Sequence, residues 1–133
     1  MDQSENLPAS QLDFSVVCPF YNEAEIIGQT VRVMLQNLSR SNARWELVVV
    51  NDGSTDGSEH IVEQLALESP NLRVLGYPQN RGRGYALRIG IAAARGAIIV
   101  TTEIDLSWGE DIVHRLVTAM NSWPDADIVV ASP

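Results

Sequence analysis

Five short apolar runs punctuate the chain, at 14–18, 46–50, 72–76, 97–102 and 127–131, all rich in β-branched residues. Their apolarity is continuous rather than alternating, which suits strands covered on both faces, as in a parallel sheet. Segments with helical spacing lie between them. Ile27, Val31, Met34, Leu35 and Leu38 fall at i, i+4, i+7, i+8 and i+11, one stripe of a helix. Asn22 is placed to cap that helix, with Glu25 three residues later completing a capping box. Asp56 and Glu59 repeat the arrangement before Ile61, Val62 and Leu65. The spacing predicts a third helix from Tyr85 to Ala94, and a fourth carrying Ile112, Val113, Leu116, Val117 and Met120. Strand–helix alternation of this kind means βαβ units with right-handed crossovers. The fold class expected is α/β.

Residues 1–12 are polar and unpatterned and read as a flexible tail, leaving 13–133 as one domain. The last run has nothing after it to cover a buried strand. The sequence therefore reads as part of a larger protein or a shortened chain.

Composition narrows the partners. An apolar fraction of 45% and a charged fraction of 20% are ordinary for a globular protein. The net charge is −8 and every basic residue is arginine, a balance that disfavours DNA or RNA as the main partner. It leaves room for a small anion held by a metal and a few arginines. The single Cys18 cannot form an internal disulfide, which fits a reducing compartment, and its apolar run makes it a small buried hydrophobe. No apolar stretch approaches the ~20 residues of a membrane helix, and no signal peptide is visible.

The chemistry gathers where strands end. Glu103 and Asp105 follow the fourth run two residues apart, so on an extended chain they project from one face. That end is where open α/β sheets place ligands. Adjacent carboxylates repel unless a cation or donor lies between them, and oxygen-only ligands suit Mg²⁺ or Mn²⁺; a solvated acidic turn is the plainer alternative. After the first run comes Pro19-Phe20-Tyr21-Asn22-Glu23, and after the second Asn51-Asp52-Gly53-Ser54-Thr55-Asp56-Gly57. An aromatic ring (Tyr21) beside carboxylates (Glu23, Asp52) makes a base-and-ribose pocket: the ring stacks and the acids accept from N–H or hydroxyl groups. Capping alone explains Asn22 and Asp56, and turn geometry explains Gly53 and Gly57. Asp52 is not so easily explained and is read as a ligand residue. Asn80-Arg81-Gly82-Arg83-Gly84 opens the third helix, leaving N–H groups for an anion. No acidic residue follows where a dinucleotide site would need one, which counts against NAD. His60 and His114 read as surface or rim residues, and Trp45, Trp108 and Trp123 as packing residues, with Trp108 close enough to Asp105 to line a site.

Taken together, Val17-Cys18-Pro19-Phe20-Tyr21-Asn22-Glu23, Val50-Asn51-Asp52-Gly53-Ser54-Thr55-Asp56, Asn80-Arg81-Gly82-Arg83-Gly84-Tyr85-Ala86-Leu87 and Glu103-Ile104-Asp105-Leu106-Ser107 resemble the family 2 glycosyltransferases. The likeness is strongest to the polyprenol (dolichol) phosphate mannose or glucose synthases. It covers 14–133, the nucleotide-sugar half of that family's fold. It implies a GT-A (Rossmann-like) three-layer sandwich with a mostly parallel sheet, lacking the C-terminal acceptor half. It implies that Pro19, Tyr21, Glu23 and Asp52 hold the nucleoside, with Ser54 among the nucleotide contacts and Arg83 where the family usually has lysine. Asp105 matches the second acid of the family's Asp-x-Asp and would ligate Mg²⁺ or Mn²⁺. Glu103 matches the first acid, where aspartate is usual, and its extra methylene moves the carboxylate by one bond length.

The activity implied is transfer of a sugar from a GDP- or UDP-sugar to an acceptor such as a polyprenyl phosphate; the alternative is a nucleotide-binding module that transfers nothing. A lipid phosphate acceptor is already ionised at neutral pH and needs no general base. The expected location is cytoplasmic, or peripheral at the cytoplasmic membrane face. In the family's sheet a later strand separates those matching 97–102 and 127–131. The isolated chain is therefore expected to pair its last strand differently, to swap it in a homodimer, or to leave it poorly ordered.

Overall fold

The computed structural model describes residues 12–104 and 111–130. Eight elements alternate: β1 (Leu12–Phe20), α1 (Ile27–Leu38), β2 (Trp45–Asp52), α2 (Ser58–Glu68), β3 (Leu72–Tyr77), α3 (Arg83–Ala93), β4 (Gly96–Thr101) and α4 (Ile112–Ser122). The four strands form one parallel sheet in the order β3-β2-β1-β4. Leu12, assigned to the tail from sequence, already pairs with Gly96 as the first residue of β1.

In β1 and β2 the continuous apolar runs have the cause expected of them, whereas β4 is covered less completely and leaves Ile99 exposed. Val16, Val17, Val48, Val49 and Val50 are fully buried because helices cover both faces of the sheet. One face carries Phe14, Val16, Cys18, Leu47 and Val49, packed under α1, α2 and α4; the other carries Val17, Val48 and Val50 under α3. Cys18 is buried as a small apolar residue should be. The stripe anticipated for α1 is buried at Ile27, Val31, Met34 and Leu38. Gly90 lets α3 lie close on the sheet: a Cβ there would stand 2.3 Å from Val17 Cγ1 and 3.0 Å from Val50 Cγ2.

Other sequence expectations fail. Asn22 does not cap α1; it turns left-handed (φ 52°), and α1 begins after Ile26 with no side-chain cap. α2 has Gly57 at its N-cap and no capping box, because Glu59 Oε2 accepts from Asn51 Nδ2 (2.8 Å) instead of returning to the helix start. The strand expected at 127–131 is absent from the described part, 127–130. Among the described residues β4 pairs only with β1, and Ile128 and Val130 stand exposed. β-branched residues favour a strand only where an edge pairs with them. Trp123 is exposed as well, whereas Trp45 packs against the core as expected.

At the amino end of the sheet, buried Glu46 accepts from Ser15 Oγ (2.6 Å), Arg73 Nε (2.8 Å) and the Arg95 N–H (2.6 Å). Arg73 Nη2 also donates to the Ala93 carbonyl (2.6 Å). A buried charge needs this many partners. The knot ties β1, β2, β3 and the α3–β4 junction together, at the end opposite the candidate site.

Candidate functional site

Because the strands are parallel, all four carboxyl ends open on one side. The chain runs outward from β1 through β2 to β3, then crosses back over the sheet to β4, so strand order reverses between β1 and β4. Ligands in open α/β sheets bind outside such a switch point. Tyr21 and Glu23 leave the sheet after β1. The Thr102 N–H donates to the Val17 carbonyl (3.1 Å), so Glu103 leaves it beside the end of β1. Arg83 starts α3 and reaches across: its Nη2 donates to Glu103 Oε1 at 2.5 Å, with the two side chains 54% and 40% exposed. A groove of about 510 Å³ runs from this pair down the outer edge of β4, past Ile99 and Ile112 to Ile128.

The loops after β1 and β2 are clasped to each other. The Asn22 N–H donates to Ser54 Oγ (2.9 Å), and the Thr55 N–H donates to Asn22 Oδ1 (2.7 Å). The Ala24 N–H donates to Asp56 Oδ2 (3.0 Å), and the Glu23 N–H to Ser58 Oγ (2.9 Å). The Ser58 hydroxyl in turn donates to Asp56 Oδ1 in a short hydrogen bond. That hydroxyl, more than the Ala24 and Ser58 N–H groups, holds the Asp56 carboxyl below the usual carboxylate range. Asn22 and Asp56 thus serve as inter-loop fasteners, not helix caps. Burial, followed by the nearby Glu63 carboxyl, pushes Glu59 up.

Asp52 also differs from its sequence reading. Its buried carboxylate accepts from Tyr77 Oη (2.6 Å), Asn80 Nδ2 (2.9 Å), the Arg81 N–H (2.8 Å) and the Gly82 N–H (3.0 Å). A carboxylate offers about four acceptor positions, so these donors saturate it. The anion at the start of α3 is therefore the protein's own Asp52, and two N–H groups expected to await an external anion are engaged. Burial, and then the bond to Asp52, hold the Tyr77 phenol well above its usual value. Tyr77 meets Tyr85 edge-on at 5.1 Å, and the Arg81 guanidinium lies over the Tyr85 ring at 5.0 Å. Gly53, at φ 72°, lets the β2–α2 loop press on this turn: a Cβ would come within 2.2 Å of the Asn80 nitrogen.

The remaining candidates divide plainly. Tyr21 is 46% exposed, as a stacking ring must be. Glu23, two residues further along the chain, is half-buried. Pro19 is buried in β1 opposite Val50 and is wall rather than open contact. Ser54 Oγ accepts from the Asn22 N–H. Asp105 and Trp108 lie outside the described residues. Tyr77 and Asn80 were not singled out from sequence as site residues; the signal available was the Asn80-Arg81-Gly82 motif itself, whose asparagine had no assigned role.

A divalent ion can be tested against this donor set. Carboxylate oxygen is the chemistry Mg²⁺ and Mn²⁺ take. Glu103 offers it at the strand tip, and its described contact uses only Oε1. Among the described residues no three His, Cys, Asp or Glu side chains gather, so any further ligands would have to come from Asp105, phosphate and water. The site fits an ion in kind, with Glu103 as one ligand. Among the described residues no helix is long and apolar enough to cross a membrane.

Comparison with known proteins agrees with the geometry. The chain is 34% identical over 101 residues to a dolichyl-phosphate beta-glucosyltransferase of Trichomonas vaginalis, covering 72% of this chain and 30% of the relative. It is 34% identical over 102 residues to the dodecaprenyl-phosphate galacturonate synthase of Rhizobium johnstonii, covering 76% and 30% respectively. It spans about a third of the length of the curated relatives it matches. Among solved structures, a Pyrobaculum calidifontis mannosyltransferase in complex with GDP-Man and Mn²⁺ superposes with a TM-score of 0.67 at 29% identity, over 83% of this chain and 32% of that one. Glucosyl-3-phosphoglycerate synthase of Mycobacterium tuberculosis, in complex with Mn²⁺, UDP and glucosyl-3-phosphoglycerate, gives 0.62 at 30% identity, over 82% and 39%. The fold is thus the GT-A sandwich implied by the motifs. Residues 15–133 match Glycosyl transferase family 2, and the chain belongs to that family.

Proposed function

We propose that this chain is the donor-binding part of a glycosyltransferase, holding a GDP- or UDP-sugar in the crevice outside the ends of β1 and β4. What supports the reading is that Tyr21 and Glu23 follow the end of β1, that Glu103 follows the end of the neighbouring β4, and that Arg83 reaches from the start of α3 to pair with Glu103. Tyr21 stacks on the base, Glu23 accepts from base or ribose, and Pro19 forms the wall behind them. Asp52 and Ser54 act through the loops they fasten rather than as open contacts. Asp105 and Glu103 would hold Mg²⁺ or Mn²⁺ against the diphosphate. That ion, when bound, neutralises charge growing on the leaving nucleoside diphosphate. Arg83 adds a cation for the same diphosphate.

The names of the relatives support a polyprenyl phosphate as acceptor; the location proposed with it is cytoplasmic, or peripheral at the cytoplasmic membrane face. An ionised phosphate attacks without a general base. The test is calorimetric titration with GDP and UDP, with and without Mn²⁺, on wild type and Asp105→Ala. Metal-dependent binding that disappears in Asp105→Ala is expected; equal affinity in the two proteins contradicts the metal assignment.

A further inference from the structure

We propose that Arg83 and Glu103 form an exchange latch: they hold each other in the donor-free protein, and both change partner when a nucleoside diphosphate and a divalent cation arrive together. The inference rests on the donor-site reading above. Its basis is the 2.5 Å Nη2–Oε1 contact joining the first residue of α3 to the tip of β4 across the mouth of the crevice. Such a contact between half-exposed side chains is weak enough to be displaced.

The two ends of the latch differ in freedom. The backbone under Arg83 is fixed, because Asp52 holds the Arg81 and Gly82 N–H groups and Gly53 packs against the turn. Only the flexible arginine side chain has to move. Its planar fork matches a phosphate at least as well as a carboxylate.

Electrostatics then couples the two ligands. With Arg83 on Glu103, a divalent cation approaching that carboxylate meets a positive charge already in place. A diphosphate removes the conflict, since it would accept Arg83 and add negative charge beside Glu103 for the cation. Cation alone and donor alone each have to break the latch unaided, whereas together each takes one half. By linkage the cation raises donor affinity by the same factor that donor raises cation affinity.

The experiment uses Mn²⁺ and GDP or UDP as probes on the whole chain, with Arg83→Gln and Glu103→Gln, both at half-exposed positions and checked for unchanged thermal unfolding. Mn²⁺ binding without nucleotide is followed by paramagnetic relaxation, and nucleotide binding without metal by calorimetry. Arg83→Gln should bind Mn²⁺ alone about two- to fivefold more tightly than wild type, the factor an exposed ion pair is worth. Glu103→Gln should bind the metal-free nucleotide about two- to fivefold more tightly and lose much of the Mn²⁺ enhancement. If wild type binds nucleotide but neither gain appears, the latch is overturned and the donor site stands. If wild type binds neither GDP nor UDP in any metal condition, the donor-site reading falls and takes the latch with it.

Discussion

Replacing Asp52 with alanine tests how the crevice is built. The substitution removes four hydrogen bonds at once, from the Tyr77 hydroxyl, Asn80 Nδ2 and the Arg81 and Gly82 N–H groups, all within 2.6–3.0 Å of the carboxylate. Asn80 Nδ2 keeps its bond to the Asp52 carbonyl (3.0 Å). Hydrogen bonds to a charged group contribute about 1.5–3 kcal/mol each, so the gross loss is roughly 6–12 kcal/mol. Two effects offset most of it. Arg81 is exposed and Gly82 half-buried, so their N–H groups recover water, and the cost of burying the Asp52 charge is returned. The expected net destabilisation is about 2–4 kcal/mol.

In urea this appears as a fall in midpoint of about 1–2 M at unchanged slope. Tyr77→Phe alone should cost about 1 kcal/mol. Combined with Asp52→Ala it should cost little more, giving a coupling energy of roughly 1 kcal/mol. Hydrogen exchange at the Arg81 and Gly82 amides should accelerate in Asp52→Ala. A loss below about 0.5 kcal/mol, additive double mutants, or unchanged exchange at those amides refutes the anchoring role.

Two further outcomes follow from the loops and the packing. Ser58→Ala should raise the Asp56 titration midpoint in carboxyl NMR toward its ordinary 3.8, because the largest downward influence is the Ser58 hydroxyl. With its folded-state pKa depressed, Asp56 stabilises the clasp fully above the unfolded-state value and loses that contribution as pH falls through the folded-state one; an unmoved midpoint would count against the Ser58 bond. Gly90→Ala should destabilise by about 1–3 kcal/mol, since the new Cβ meets Val17 Cγ1 at 2.3 Å. Helix propensity alone foretells a gain of about 1 kcal/mol, so denaturation decides the sign, and adding Val17→Ala should recover part of the loss.

What could be read from sequence and what could not divide by range. β1 and β2 were visible because runs such as Val48-Val49-Val50 are buried on both faces, and β3 and β4 because they carry similar apolar, β-branched composition even though Ile99 stands exposed. Each run carries that pattern by itself. The α1 stripe was visible for the same reason. Asn22 and Asp56 were misread because an Asn or Asp before a helix looks alike whether it caps that helix or fastens a loop about 32 residues away. Asp52 was taken for an open ligand residue because its donors at Tyr77, Asn80, Arg81 and Gly82 lie 25–30 residues downstream. The run at 127–130 has strand composition, but composition does not supply an edge to pair with. The Arg83–Glu103 contact needed α3 to cross the sheet before its two ends could meet.

Mapping where a nucleoside diphosphate lands tests the central claim most directly. Amide chemical shifts recorded during titration with GDP or UDP and Mg²⁺ should move at Tyr21, Glu23, Arg83 and Glu103, around the ends of β1 and β4. Those of Glu46, Arg73 and Arg95, at the opposite end of the sheet, should stay still. Shifts confined to the outer edge of β4 or to the Glu46 end, with Tyr21 and Arg83 unmoved, would contradict the account.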